Sequence, residues 1–131
     1  KGGYILIHGG DQPDVIIIAT GSELAIAVES ATRLNARGRQ IRVISMPCTD
    51  IFDAQDQAYR NRVLPPACRN RIAIEAGVPD YWYKYVGLDG KVMGVPRFGL
   101  SAPAGDIFKY FNLTTVKLVE LLDVADQKNL K

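Results

Sequence analysis

The sequence predicts an α/β fold, a three-layer arrangement in which a mostly parallel sheet lies between helices. Three observations carry that reading. Short β-branched runs alternate along the chain with longer segments of helical periodicity. One run, Val15-Ile16-Ile17-Ile18-Ala19, is apolar at every position, as a central strand covered on both faces must be. The chain has 131 residues, 47% hydrophobic and 23% charged, which is long enough to bury one core and too apolar for disorder.

Each element follows from its residues. Tyr4-Ile5-Leu6-Ile7-His8 reads as a first strand. The turn-rich loop Gly9 to Asp14 then leads to Val15–Ala19, and so short a loop suits an antiparallel hairpin. Thr20-Gly21-Ser22-Glu23 opens a helix to about Arg37, with Thr20 and Glu23 at capping-box spacing. Leu24, Ala27, Val28, Ala31 and Leu34 form its apolar stripe, and Gly38 ends it. Ile41–Ser45 is a third strand. Asp53 is expected to cap a helix running to Val63, closed by Pro65-Pro66. Arg71–Glu75 and Lys91–Val95 complete five strands. Pro103 starts a helix carrying Ala104, Ile107, Phe108 and Phe111 on one side, with Asn112 as its left-handed end. Thr114 starts the last helix, through about Ala125.

Composition excludes several classes of function. No apolar run is longer than Val15–Ala19, which is far too short to span a membrane, and no signal-peptide pattern opens the chain. Sixteen basic residues against fourteen acidic ones are dispersed, so no nucleic-acid footprint is expected. A single histidine rules out any metal site needing two. Cys48 and Cys68 lack the spacing of a zinc ribbon or a redox pair; one disulfide between them is the alternative to the favoured reading, free thiols of a cytoplasmic protein. The chain starts at Lys1 and is read as one domain, residues 1–131, cut from a longer protein.

Candidate sites are few. The strand–Gly–helix junction at Gly21 and Ser22 could offer amides to an anion, but Glu23 sets a carboxylate in the same turn, which favours a simple cap. Asp50, Asp53 and Asp56 lack the glycine and terminal glutamate of a calcium loop, so Asp53 is read as a cap and the others as solvated. His8, at the end of a strand, has no partner nearby in sequence. Glu75 ends another strand, where open sheets place ligands. Tyr81, Trp82, Tyr83 and Tyr85 are too many rings for a solvated loop, and are read as core and interface packing. No self-contained active site emerges from composition and spacing.

Longer strings carry a resemblance. These are Pro13 through Glu23, Val43-Ile44-Ser45-Met46-Pro47 with Phe52-Asp53-Ala54-Gln55-Asp56, and Glu75-Ala76-Gly77. Asp80-Tyr81-Trp82-Tyr83-Lys84-Tyr85-Val86-Gly87 and Phe98-Gly99-Leu100-Ser101-Ala102-Pro103 are the most specific. Together they resemble the C-terminal domain of transketolase, from about Gly2 to about Ala125. The resemblance implies a five-stranded sheet with one antiparallel strand. It also implies a parent enzyme that moves a two-carbon ketol unit from a ketose phosphate to an aldose phosphate in the pentose phosphate pathway. Thiamine diphosphate and a divalent metal (Mg or Ca) would be held by two upstream domains across a homodimer interface. No catalytic, cofactor or metal residue is carried over to this chain, whose role would be assembly or regulation. Dihydroxyacetone synthase and deoxyxylulose-phosphate synthase are sister alternatives. A stand-alone anion-binding module is a third.

Overall fold

The computed structural model describes residues 2–21, 23–75, 82–87, 90–94 and 114–122. Among these residues five strands form one sheet: β1 (Tyr4–Ile7), β2 (Val15–Ala19), β3 (Ile41–Ser45), β4 (Arg71–Glu75) and β5 (Lys91–Gly94). Their spatial order is β1-β3-β2-β4-β5. β2 pairs in parallel with β3 and β4, β4 pairs in parallel with β5, and β1 is antiparallel to β3. The helices among the described residues are α1 (Glu23–Asn35), α2 (Thr49–Asp53), α3 (Gln57–Val63), α4 (Tyr83–Val86) and α5, over 114–122.

The alternation of side chains along each strand splits the core in two. Ile17, Val43, Ile72 and Ile74 face Ala27, Ala31 and Leu34 of α1 and Leu118 and Leu122 of α5. Ile16, Ile18, Ile44 and Ala73 face the opposite way, onto Phe52 of α2, Val63 of α3 and Tyr85 and Val86 of α4. The sheet therefore lies between two helical layers. α1 ends as its glycine requires: Gly38 has φ +88°, and Arg39 N–H returns to Leu34 C=O at 3.2 Å. The predicted helix from Pro103 and the end of the last helix lie outside the described residues.

The expected hairpin between the first two strands is corrected. β1 is antiparallel, but Tyr4 lies opposite Ser45 and Ile5 opposite Ile44, so its neighbour is β3. β2 is apolar on both faces and takes the central place, hydrogen-bonded on both edges. The connection from β1 must then cross the start of β3. Gly9 makes the crossing at φ +66°, where an added Cβ would stand 2.6 Å from the Ile41 carbonyl. A register shift between Ile5 and Ile7 turns these two side chains onto opposite faces.

The cap at Asp53 is corrected as well. The helical segment is broken, and Asp56 caps α3 by accepting from Tyr59 N–H at 2.8 Å. Asp53 is the last residue of α2, the end where a carboxylate is least favoured by the helix dipole. Its charge is met instead by Lys84 on α4.

Candidate functional site

The parallel strands all end on one edge of the sheet. β2 leads through α1 to β3 on one side, and β4 leads to β5 on the other. The ends of β2 and β4 therefore bracket the crevice where open α/β sheets bind ligands. Gly21 sits there, exposed and at φ +60°. The Glu23 carboxylate reaches to 3.8 Å from where a Gly21 side chain would begin. It brings negative charge to the helix start and works against an anion. Ser22 lies outside the described residues, and Glu75 is the last residue of β4.

His8 is exposed and lies 3.8 Å from Asp11, itself fully exposed. Cys48 and Cys68 are free thiols. Burial pushes the Cys68 thiol up, against the influence of Arg71 nearby, so it stays protonated and is a poor nucleophile. Among the described residues no three His, Cys, Asp or Glu stand close enough to hold a metal ion. Among the same residues, no helix is long and apolar enough to cross a membrane.

The aromatic segment divides. Trp82 and Tyr85 are buried, whereas Tyr83 is 48% exposed and Tyr81 lies outside the described residues. Trp82 and Tyr85 have ring centroids 5.7 Å apart, Tyr85 meets Phe52 edge-on at 6.3 Å, and Phe52 meets Tyr59 at 6.3 Å. This line of rings joins α4, α2 and α3, and Tyr59 Oη extends it to the carbonyl of Gly3 at 2.7 Å. At its side Asp53 accepts from Lys84 Nζ at 2.7 Å and from Tyr85 Oη at 3.0 Å. The hydrogen bond to Asp53, with a further one to Tyr85, holds the Lys84 ammonium well above the usual lysine range.

Two arginines that the sequence reading did not single out organise the same face. Arg42 on β3 and Arg71 on β4 both stand opposite Ile16 of β2, one row across three strands. Arg42 is 2% exposed. It donates to the carbonyls of Arg62 at 3.0 Å and Val63 at 3.3 Å, and to those of His8 at 2.7 Å and Gly10 at 2.8 Å. Arg71 donates to Leu64 at 3.3 Å and Pro65 at 2.9 Å, to Cys68 at 3.0 Å and to Tyr85 at 2.7 Å. Four consecutive carbonyls, 62 to 65, are thus held from the sheet. They form the carboxyl end of α3, where cations are favoured. The signal was an arginine set against apolar strand residues, Ile41-Arg42-Val43 and Arg71-Ile72-Ala73.

This face predicts an alkaline limit to stability. Burial raises Cys68 from an ordinary 9.0 and Tyr85 from 10.0, and the Asp53 bond raises Lys84 from 10.5. Between each ordinary value and the higher folded one, the native state keeps a proton that the unfolded chain has shed. Stability therefore falls as pH rises through that window. Urea midpoints measured across it are expected to drop, and Tyr85→Phe should flatten the part above 10.0. A midpoint independent of pH there would contradict the burial argument.

Comparison with known proteins places this arrangement. The model of the transketolase-like TK C-terminal domain matches residues 2–114. Transketolase 2 of Aliivibrio fischeri is 57% identical over 119 residues, which are 91% of this chain and 18% of that protein. Transketolase 1 of Vibrio cholerae is 56% identical over 120 residues, 92% of this chain and 18% of that protein. Among solved structures, transketolase from Leishmania mexicana superposes with a TM-score of 0.78 at 35% identity, covering 97% of this chain and 18% of that one. A Pichia stipitis transketolase in complex with sedoheptulose 7-phosphate gives the same TM-score, identity and coverage. The chain spans 18% of the length of these relatives.

Proposed function

The chain belongs to the transketolase-like C-terminal domain family, and from that premise we propose that it is the single C-terminal domain of a cytoplasmic transketolase. The parent transfers a two-carbon ketol unit between sugar phosphates of the pentose phosphate pathway. One observation carries this reading: 91% of the chain aligns at 57% identity with a transketolase of which it is only 18%. The remainder of such a protein would hold thiamine diphosphate, its Mg or Ca ion and the sugar phosphates, across a homodimer. The cofactor supplies carbanion chemistry when bound, and the protein orients it. The described residues do not fit a diphosphate–metal group: no three metal-ligating side chains stand together, and Glu23 brings negative charge to the start of α1. The domain's own part in this reading is assembly, with exposed Tyr83 turned to a neighbouring domain or subunit.

A chimera tests it. The chain replaces the matching segment of the Aliivibrio fischeri relative, and ketol transfer and sedimentation are measured. The chimera is expected to dimerise and turn over. The isolated chain is expected to show no turnover with thiamine diphosphate, Mg²⁺ and pentose phosphates. Its melting temperature should not rise either, although a ligand at a hundred times its Kd would add about 2.7 kcal/mol. Turnover by the isolated chain, or a dimeric chimera without activity, would overturn the reading.

A further inference from the structure

We propose that the hollow beside α2, α3 and α4 binds the phosphate group of a small organic phosphate monoester. The hollow has a volume of ≈ 490 Å³, within the range of small-molecule sites. Its cationic lining is Arg60, Arg71 and Lys84, and Asp53 is the carboxylate among its walls. Asp53 is already met by Lys84 at 2.7 Å. Arg60 and Arg71 are left without a carboxylate partner among the described residues. Arg71 is anchored by neutral carbonyls, which fix its position and leave its charge uncompensated. Arg60 donates through Nη2 to Gln57 Oε1 at 3.0 Å, while its enclosed Nε has no acceptor.

Two uncompensated guanidinium groups facing one hollow match a dianion better than a single carboxylate. Arg71 has given four of its five N–H groups to carbonyls and contributes chiefly its charge, whereas Arg60 has committed only one and keeps terminal N–H groups for phosphate oxygens. Phe52, Leu64 and Pro66 supply an apolar wall for the carbon portion of the ester. The small size of the hollow and the absence of a basic stripe along the chain argue against a nucleic-acid backbone. This inference stands on the hollow alone and does not depend on the activity of the parent.

The test is titration of the ¹⁵N-labelled 131-residue chain with phenyl phosphate, and separately with orthophosphate, at constant ionic strength. Saturable shifts are expected at amides of α3 and α4, including Asn61 and Lys84. Phenyl phosphate should bind more tightly than orthophosphate. Arg60→Gln should weaken binding at least tenfold with the spectrum otherwise retained, and Arg60→Lys should recover part of the loss. Should Arg60→Gln disturb the fold, Asn61→Ala, on the exposed side of α3, is expected to weaken binding several-fold. Shifts that never saturate, equal affinity in the folded variants, or shifts confined to Thr20 through Leu24 would each overturn the proposal. The last result would place the anion at the start of α1.

Discussion

Arg42→Met is expected to remove about 3 kcal/mol or more of folding stability, read as a lowered urea midpoint with an unchanged slope. Methionine preserves much of the aliphatic stem and deletes the guanidinium. Four carbonyls then lose their donor, those of His8, Gly10, Arg62 and Val63. An orphaned buried polar group costs about 1–3 kcal/mol. The carbonyls nearer the surface recover part of this by binding water, so the four costs do not simply add. Burying the arginine has its own desolvation cost, visible in the lowering of its pKa by burial. That cost is why an apolar replacement is sometimes harmless. Here the acceptors stay behind when the donor goes, and the balance falls toward destabilisation. Arg42→Lys keeps the charge, loses the fork and should fall between. A loss below about 1 kcal/mol for the methionine variant would mean that water replaces the guanidinium freely.

Trp82→Ala is expected to cost about 3–5 kcal/mol, as large aromatic deletions in cores do. Trp82 is 4% exposed and terminates the line of rings through Tyr85, Phe52 and Tyr59. α4 spans only Tyr83–Val86, too short to persist without its packing. Losing the indole should therefore loosen the Lys84–Asp53 contact and the aromatic line together. Trp82→Phe should restore most of the stability. Tyr83→Ala is the contrast: its ring is about half exposed, so the isolated chain should lose little. An alanine variant of Trp82 as stable as the parent chain would remove this ring from the core.

What could be read in advance was local. The stripe Ala27, Ala31 and Leu34 needed only helical spacing, and all three are buried. The uninterrupted apolar run at Val15–Ala19 required cover on both faces, and both are covered. The partner of β1 was not legible. A short apolar run such as Tyr4–Ile7 identifies a strand but not its neighbour, and loop length misled because Gly9 allows the chain to step over β3. Asp56, read as solvated, caps α3 because the helix breaks after Asp53, whose carboxylate instead meets Lys84 and Tyr85 from α4, and sequence spacing shows neither. Arg42 and Arg71 were opaque for another reason. A charged residue in a strand ordinarily marks the solvent side, and only the packing of α3 shows that its carbonyls wait there.

The path of β1 also bears on the order in which the protein is made. Tyr4 pairs with Ser45, about forty residues further along the chain. During synthesis at roughly 5–20 residues per second, β1 emerges seconds before its partner exists. Its pairing closes a long loop and is correspondingly slow. β2, α1 and β3 are contiguous and form a unit that can assemble first. Until then Tyr4 and Leu6, both substantially exposed even in the finished fold, lie on an unpaired ribbon of four apolar residues. That interval is the chain's window for aggregation and for engagement by chaperones, and it closes when β1 docks along β3.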